Sequence, residues 1–324
     1  MEYGQLIISE RHIIMIRLKD GQGIRGIALE LGRSQSSIRR EAARNAWPYD
    51  AEAAQQRAEA LRRSRRRRKL DPGPLREEVD RRLRRFDSPE QIAGRLKIDF
   101  AGDAVRISHE TIYKFIAQVA AEGVDYTPFL RFGIRKRRYG YRGKSKYQRI
   151  RDGRSIEERP PAAGTRREFG HFESDTVKGQ FTSPVGIATH LERKTRFLVA
   201  ALLPDRSAAT YSRKTRRAFA RHLRMKVKTL TVDNGMEFSQ HRQMEKALGA
   251  KVYFAHPYRS WERGANENAN GLLRQFFPKK TDLTLVTSRQ LQEAVDNLNN
   301  RPRKCLGYRT PAEVWQDEIC ALGS

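Results

Sequence analysis

Phe172-Glu-Ser-Asp-Thr-Val177, Val185-Gly-Ile-Ala-Thr-His-Leu191 and Arg196-Phe-Leu-Val-Ala-Ala-Leu-Leu203 follow one another in close succession. Each is a short run of strand-favouring residues bounded by Gly, Pro or charged turn residues, and three in a row predict a β-meander. Working outward, a helix is expected over Ala208 to His222, then a strand Val227 to Val232 and a helix near 240 to 248. A strand Val252 to Ala255 follows, with further helices through 265 to 276 and 288 to 299. Upstream of about residue 166 the texture is helical or basic instead. The expectation is an α/β domain over residues 166–324, preceded by all-α units.

Three acids fall at particular places in this order. Asp175 lies on the first strand, Asp233 directly after the fourth in Thr231-Val-Asp-Asn-Gly235, and Glu267 on the helix after the fifth. Carboxylates brought to one point repel unless a divalent cation neutralises them. Hard oxygen ligands suit Mg²⁺ or Mn²⁺, and two such ions can activate an attacking oxygen and stabilise a leaving one. Strand ends hold the short Asp side chains rigidly, although Asp233-Asn-Gly is equally an ordinary turn sequence. On the Glu267 helix, Ala269, Leu272, Leu273 and Phe276 form the apolar stripe, and Glu267, Asn270, Gly271 and Arg274 share another face. Arg274 is thereby expected beside Glu267, gripping a phosphate. Glu173, Glu237 and Glu262 are set aside: Glu173 as a supporting group, Glu237 as either a supporting group or simply the start of the next helix, and Glu262 as a loop residue.

Charge names the substrate class. The 324 residues carry 65 Lys and Arg against 38 Asp and Glu, a net +27. Such an excess predicts salt-sensitive attraction to nucleic acid or an anionic surface. The longest apolar run, Phe197 to Leu203, is far short of the ~20 residues that span a bilayer. The opening Met1-Glu-Tyr-Gly-Gln5 lacks the basic start and the cleavage site expected of a secretory signal, and Cys305 and Cys320 lack disulfide-framework or zinc-ligand spacing. A cytoplasmic protein acting on double-stranded DNA is expected, with no membrane partner.

Residues 1–47 read as a helix-turn-helix domain. Ser9 is expected to cap a first helix bearing Ile13, Ile14, Ile16 and Leu18, and Ile24, Ile27, Ala28 and Leu31 form one stripe on the second. After Gly32, Ser34 caps a third, polar helix, whose Ser34, Gln35, Ser36, Ser37, Arg39, Arg40 and Arg44 are expected to contact DNA. An ordinary three-helix bundle with a basic surface is the alternative. Residues 48–86 are expected to be a basic helical linker, with Ala51, Ala54, Ala58 and Leu61 on one side, the run Arg62 to Lys69, and a break at Asp71-Pro-Gly-Pro74. Residues 87–120 resemble a second helix-turn-helix, opened by Ser88-Pro-Glu-Gln91. Ile112, Phe115 and Ile116 face inward, and Ser108, His109, Thr111 and Lys114 outward to DNA. The rival reading is a spacer packed on the first unit. Residues 121–165, with Arg135-Lys-Arg-Arg138 and Tyr139-Gly-Tyr141, are expected to be a basic linker that orders on DNA. Lys279 and Lys280 complete the expected DNA-contacting set. Gly21-Gln-Gly-Ile-Arg-Gly26 matches the dinucleotide fingerprint only by letter, since no strand precedes it.

Three strands, helix, strand, helix, strand, helix is the element order of the RNase H-like fold, whose acids occupy the three places named above. Residues 172–316 resemble more closely the catalytic core of the IS-thirty group of bacterial insertion-sequence transposases, within the DDE and retroviral-integrase superfamily. The resemblance is carried by Phe172-Glu-Ser-Asp175, by Thr231-Val-Asp-Asn-Gly-Met-Glu-Phe238, and above all by His256-Pro-Tyr-Arg-Ser-Trp-Glu-Arg-Gly-Ala-Asn-Glu267-Asn-Ala-Asn-Gly-Leu-Leu-Arg274 with Gln-Phe-Phe-Pro-Lys-Lys280. Leu298-Asn-Asn-Arg-Pro-Arg-Lys304 and Tyr308-Arg-Thr-Pro311 add to it, as does the Arg40-Glu41 pair in the N-terminal region. It implies a transposase that binds the terminal inverted repeats of a mobile element. Asp175, Asp233 and Glu267 would hold two Mg²⁺ (or Mn²⁺) ions, water would cleave at the element end, and the freed 3′ hydroxyl would attack target DNA. Synapsis of two ends implies a homodimer or larger assembly. Two departures stand out: Ser174 replaces the usual Gly and is expected to narrow the metal site slightly, and Arg39 replaces a usual Ser and is expected to alter sequence preference. The alternatives are a non-catalytic helix-turn-helix regulator with a degenerate core, and a simple nuclease of the same fold.

Overall fold

The computed structural model describes residues 5–45, 47–65, 70–100, 107–131, 152–180, 183–221, 227–257 and 259–323. The chain divides into two compact units, Met1–Asp71 and Pro72–Ser324.

The first unit holds α1 (Ile8–Lys19), α2 (Ile24–Glu30), α3 (Gln35–Ala43) and α4 (Ala51–Arg65). Ile14, Ile27 and Ile38 are fully buried at its centre with Ala28, Tyr49 and Ala54, so the expected stripe on α2 is its inner face. Gly32 turns the chain from α2 to α3 at φ +60°, where a Cβ would be strained. Ser34 caps α3, its Oγ accepting the Ser37 N–H at 3.2 Å. Ser9 does not cap α1. That helix begins at Ile8, and the Glu10 carboxylate accepts the Ile7 N–H at 2.8 Å, satisfying one of the donors a helix start leaves open. Buried Arg11 pairs with buried Glu41 at 2.7 Å and donates to Gln55 Oε1 on α4. Tyr49, Ala54 and Gln55 thus bring residues 48–65 into this unit, where a linker was expected. The division falls at Asp71, and Arg66 to Lys69 of the basic run lie outside the described residues.

The second unit opens with α5 (Pro74–Arg84), α6 (Pro89–Asp99) and α7 (His109–Ala121). Ser88 and Gln91 form the expected capping box on α6, each side chain bonding the other's backbone N–H. These helices pack on the C-terminal part of the same unit. Arg95 pairs with Glu313 at 2.6 Å and Lys304 with Glu90 at 2.7 Å, and a Cβ on Gly94 would lie 2.3 Å from the Tyr308 ring. Part of the expected linker 121–165 is also structured. Tyr126 is buried with its hydroxyl on Asp80, and the stretch 152–165 supplies β1 (Arg154–Ser155) and α8 (Pro161–Thr165). Arg135 to Tyr141 lie outside the described residues.

The remainder runs β2 (His171–Lys178), β3 (Gly186–Glu192), β4 (Leu198–Leu203), α9 (Ala208–Ala220), β5 (Thr229–Val232), α10 (His241–Leu248), β6 (Lys251–Phe254), α11 (Gly264–Leu273), α12 (Ser288–Asn299) and α13 (Pro311–Gly323). The sheet order is β1-β6-β5-β2-β3-β4. The meander β2-β3-β4 is antiparallel, and β5, β6 and β1 continue in parallel from β2. Phe172, Tyr211, Phe219, Met244 and Trp315 fill one side of the sheet, under α9, α10 and α13. Ile187, Leu191, Ala269, Leu272, Leu291 and Leu298 fill the other, under α11 and α12. Full burial of one such side chain contributes about 1.5–3 kcal/mol. The helix α13 is additional to the expected set. It opens with a capping box, Glu313 N–H to Thr310 Oγ1 at 3.2 Å and Thr310 N–H to Glu313 Oε2 at 2.8 Å, and its Trp315 stacks on Phe197 at 4.2 Å.

Candidate active site

Side chains alternate along a strand. On β2 this sends Glu173, Asp175 and Val177 toward α11, and Phe172 and Ser174 toward α9. Glu173 is level with Thr231 on parallel β5, and continuing that register puts Asp175 level with Asp233, one residue past the strand. Asp175, within β2, and Asp233, just past the end of neighbouring β5, thus stand side by side.

Each has one oxygen fixed locally. Asp175 Oδ1 accepts the Thr176 N–H at 2.8 Å, and Asp233 Oδ1 accepts the Gly235 N–H at 2.9 Å. The other two oxygens meet a common cation. Arg263 Nη1 lies 3.6 Å from Asp175 Oδ2, and its Nη2 donates to Asp233 Oδ2 at 3.2 Å. Asp175 Oδ2 also accepts from Asn270 Nδ2 at 3.0 Å. Burial pushes the Asp175 carboxyl above its usual range; Arg263 pulls it down, while the charges of Asp233 and Glu237 add to the push. Hard oxygens turned toward one cation from two strands are a donor set that suits a divalent ion.

Glu267 lies in the first turn of α11, one turn before Asn270, with its side chain open to solvent. Among the described residues no three His, Cys, Asp or Glu side chains stand together to hold an ion. The structure therefore gathers Asp175 and Asp233 directly and brings up beside them the helix that carries Glu267.

The acids set aside in the sequence hold this frame. Glu173, 1% exposed, accepts from Arg193 Nε at 2.8 Å and from the Asn266 N–H of α11 at 2.9 Å. Glu237 stands over Gly235, where a Cβ would lie 2.5 Å from its Oε2 and 3.0 Å from Asp233 Oδ1. Glu262 accepts the His256 N–H at 2.8 Å, and Asn234 Nδ2 donates to Ala255 O at 2.8 Å, tying the ends of β5 and β6 together. Arg274 shares the Glu267 face, but its guanidinium is half-buried and donates to the carbonyls of Lys178 at 2.6 Å and Phe277 at 3.4 Å. It clamps the end of α11 to the end of β2, and burial lowers its pKa. Lys279 and Lys280 are exposed.

Ser174 does not narrow the site. Its hydroxyl points through the other face of the sheet to His190 Nδ1 at 2.8 Å, and His190 Nε2 lies 3.3 Å from Thr215 Oγ1. Burial pushes that imidazole down to about 3.

In the first unit, Ser34, Gln35, Ser36, Arg39, Arg40 and Arg44 are exposed on and beside α3, and Ser37 is half-buried. The Arg40-Glu41 pair divides its work: Glu41 turns inward to Arg11, and Arg40 stays outside with Nε on Ser36 O at 3.1 Å. At the start of α7, Ser108, His109 and Lys114 are exposed and Thr111 is half-buried, its N–H capped by Ser108 Oγ at 3.2 Å.

Arg263 and Asn270 escaped the expected site. Asn270 was already legible on the face of Glu267, one turn away. Arg263 has no periodic signal, because it ends the short 3₁₀ turn Ser260–Arg263.

The parts so far define a helix-turn-helix protein with an integrase-type α/β core. Residues 165–260 match the integrase core domain, and residues 2–45 match a helix-turn-helix domain. The transposase for insertion sequence element IS4351 of Bacteroides fragilis is 35% identical, covering 96% of this chain and 95% of that one. Transposase InsI for insertion sequence element IS30A of Escherichia coli strain K12 is 38% identical over 95% of this chain and 82% of its own. The transposase for insertion sequence element IS1086 of Cupriavidus metallidurans is 36% identical over 97% and 94%. Among solved structures, the catalytic core domain of BIV integrase aligns with 48% of this chain and 99% of its own, at 21% identity and a TM-score of 0.37. The chain belongs to the IS30 family of insertion-sequence transposases.

Proposed function

We propose that the protein cuts DNA at the ends of its mobile element and joins the freed 3′ ends to target DNA, with Asp175, Asp233 and Glu267 as the metal-holding acids. What supports this reading most is the pair of Oδ2 atoms, from Asp175 and Asp233, turned toward one cation beside α11. Two Mg²⁺ or Mn²⁺ ions, when bound, would supply an activated attacking oxygen and charge stabilisation at the phosphate. The protein's own residues set the geometry. Thr176 and Gly235 N–H groups fix one oxygen of each aspartate, Asn270 orients Asp175, and Glu173 pins the start of the helix that carries Glu267.

Recognition is assigned to the two helical surfaces. Ser34, Gln35, Ser36 and Ser37 at the start of α3 would meet base edges in the major groove, with Arg39, Arg40 and Arg44 on bases or phosphates. Ser108, His109, Thr111 and Lys114 on α7 would form a second contact, and Lys279 and Lys280 would hold backbone phosphates. Arg274 is left as a clamp whose remaining N–H groups face DNA. Pairing two element ends calls for a dimer or larger assembly on bacterial nucleoid DNA. No helix among the described residues is long and apolar enough to cross a membrane.

The test is strand cleavage of a duplex carrying the element end, in Mg²⁺, by the wild type and by Asp233→Ala. Loss of cleavage with DNA binding retained is expected. Activity equal to wild type would reject the site, and a wild type that binds without cutting would leave only a regulator.

A further inference from the structure

We infer that Arg263 is an internal counter-cation of the acidic pair: its guanidinium and the divalent ion compete for the same two oxygens, and the ion must displace it to bind. The inference rests on the metal reading of Asp175 and Asp233 proposed above. Both Oδ1 atoms are held by backbone N–H groups, which leaves the Oδ2 atoms as the ones turned to shared space. Arg263 spans both of them, at 3.6 and 3.2 Å, and also donates to Ser174 O at 3.2 Å. A bound Mg²⁺ sits at roughly 2.0–2.1 Å from its oxygens. A guanidinium that already meets one of these oxygens with Nη1 and the other with Nη2 would then lie within a few ångströms of a dication, where like charges repel strongly in a partly buried setting.

The arrangement has a reason in the metal-free protein. Asp175 and Asp233 face each other with Glu237 close by, and without a cation their charges would drive the ends of β2 and β5 apart. Arg263 supplies that cation. Its side chain is nine-tenths buried, and it immediately precedes α11, so the displaced group belongs to the segment that leads into Glu267. A residue that merely braced the aspartates for metal would have the opposite signature, because its removal would weaken metal binding.

The sign of the change decides between them. Mn²⁺ binding is measured by titration calorimetry on the full chain without DNA, for wild type, Arg263→Gln, Arg263→Lys and Asp233→Asn. Arg263→Gln should bind Mn²⁺ about tenfold more tightly. Arg263→Lys, which keeps the charge but cannot bridge two carboxylates with one planar fork, should fall between it and wild type. In EDTA, Arg263→Gln should melt below wild type, and saturating Mn²⁺ should close the gap. Equal or weaker Mn²⁺ binding by Arg263→Gln, with binding abolished by Asp233→Asn, overturns the inference and leaves the metal reading standing. If Arg263→Gln does not fold in EDTA, Arg263→Lys decides alone by the same criterion. If neither wild type nor Arg263→Gln binds Mn²⁺, or Asp233→Asn binds it like wild type, the metal reading falls and the inference with it.

Discussion

Asn270 Nδ2 donates to Asp175 Oδ2 at 3.0 Å, while its own Oδ1 accepts from Thr189 Oγ1 at 2.9 Å. One amide therefore fastens α11 to both β2 and β3, one turn after Glu267 on the same helix. Asn270→Ala should lower cleavage by about 10–100-fold, as loss of a ligand-orienting partner does, with a stability loss of only about 1 kcal/mol. Cleavage rate and urea midpoint measured side by side test this. Unchanged cleavage would remove Asn270 from the site.

Glu173 and Arg193 form a buried pair that also caps the Asn266 N–H. Glu173→Gln removes one charge and leaves the other in the interior, which costs about 3–5 kcal/mol. Replacing both, by Glu173→Gln with Arg193→Met, should recover much of that. Denaturant titrations of the two single variants and the double give the coupling directly, and strictly additive losses would refute it.

His190 makes stability depend on pH with a definite sign. An unfolded imidazole titrates near 6.5, whereas burial holds the folded one at about 3. The unfolded chain takes up a proton that the folded one refuses, so this stability is complete above pH 6.5 and drains away as pH falls toward 3. Between pH 7 and pH 5 the contribution is roughly 2 kcal/mol. Wild type should lose that much more than His190→Gln over the interval, as read from denaturation midpoints. Parallel pH profiles would exclude a neutral buried His190.

Gly94 is where α6 meets the Tyr308 ring. Gly94→Ala should destabilise the second unit by about 1–3 kcal/mol through overpacking, and Tyr308→Ala in the same chain should relieve the clash. If the single alanine melts like wild type, α6 is not held so closely.

Much of the α/β domain was legible in sequence because the signal is local. The runs 172–177, 185–191 and 196–203 read as strands without reference to anything distant, and β2, β3 and β4 formed within a residue or two of them. Asp175 and Asp233 stand level with each other, Asp175 within β2 and Asp233 one residue past the end of β5, where a strand reading of each local run puts them. What escaped was decided at long range. β1 is two residues long and held by backbone pairing to β6, so no side-chain pattern announces it. Arg95 finds Glu313 218 positions further along the chain, and Arg263 finds two aspartates from a 3₁₀ turn. The expected three-acid cluster came out as two acids around an arginine, with Glu267 on the adjoining helix. Ser174 was misread for a simpler reason. Next to an inward Asp175 on a strand, it must face the opposite side.

Ser174 and His190 also bear on how this chain can change. The hydroxyl and the imidazole meet 2.8 Å apart inside the sheet, and each answers the other's polarity where water does not reach. A glycine at 174 would strip that nitrogen of its neighbour, and an apolar residue at 190 would strand the hydroxyl. The order of substitutions open to a descendant is thus restricted: the two positions can drift only as a couple, or through an intermediate that carries the penalty of whichever moved first.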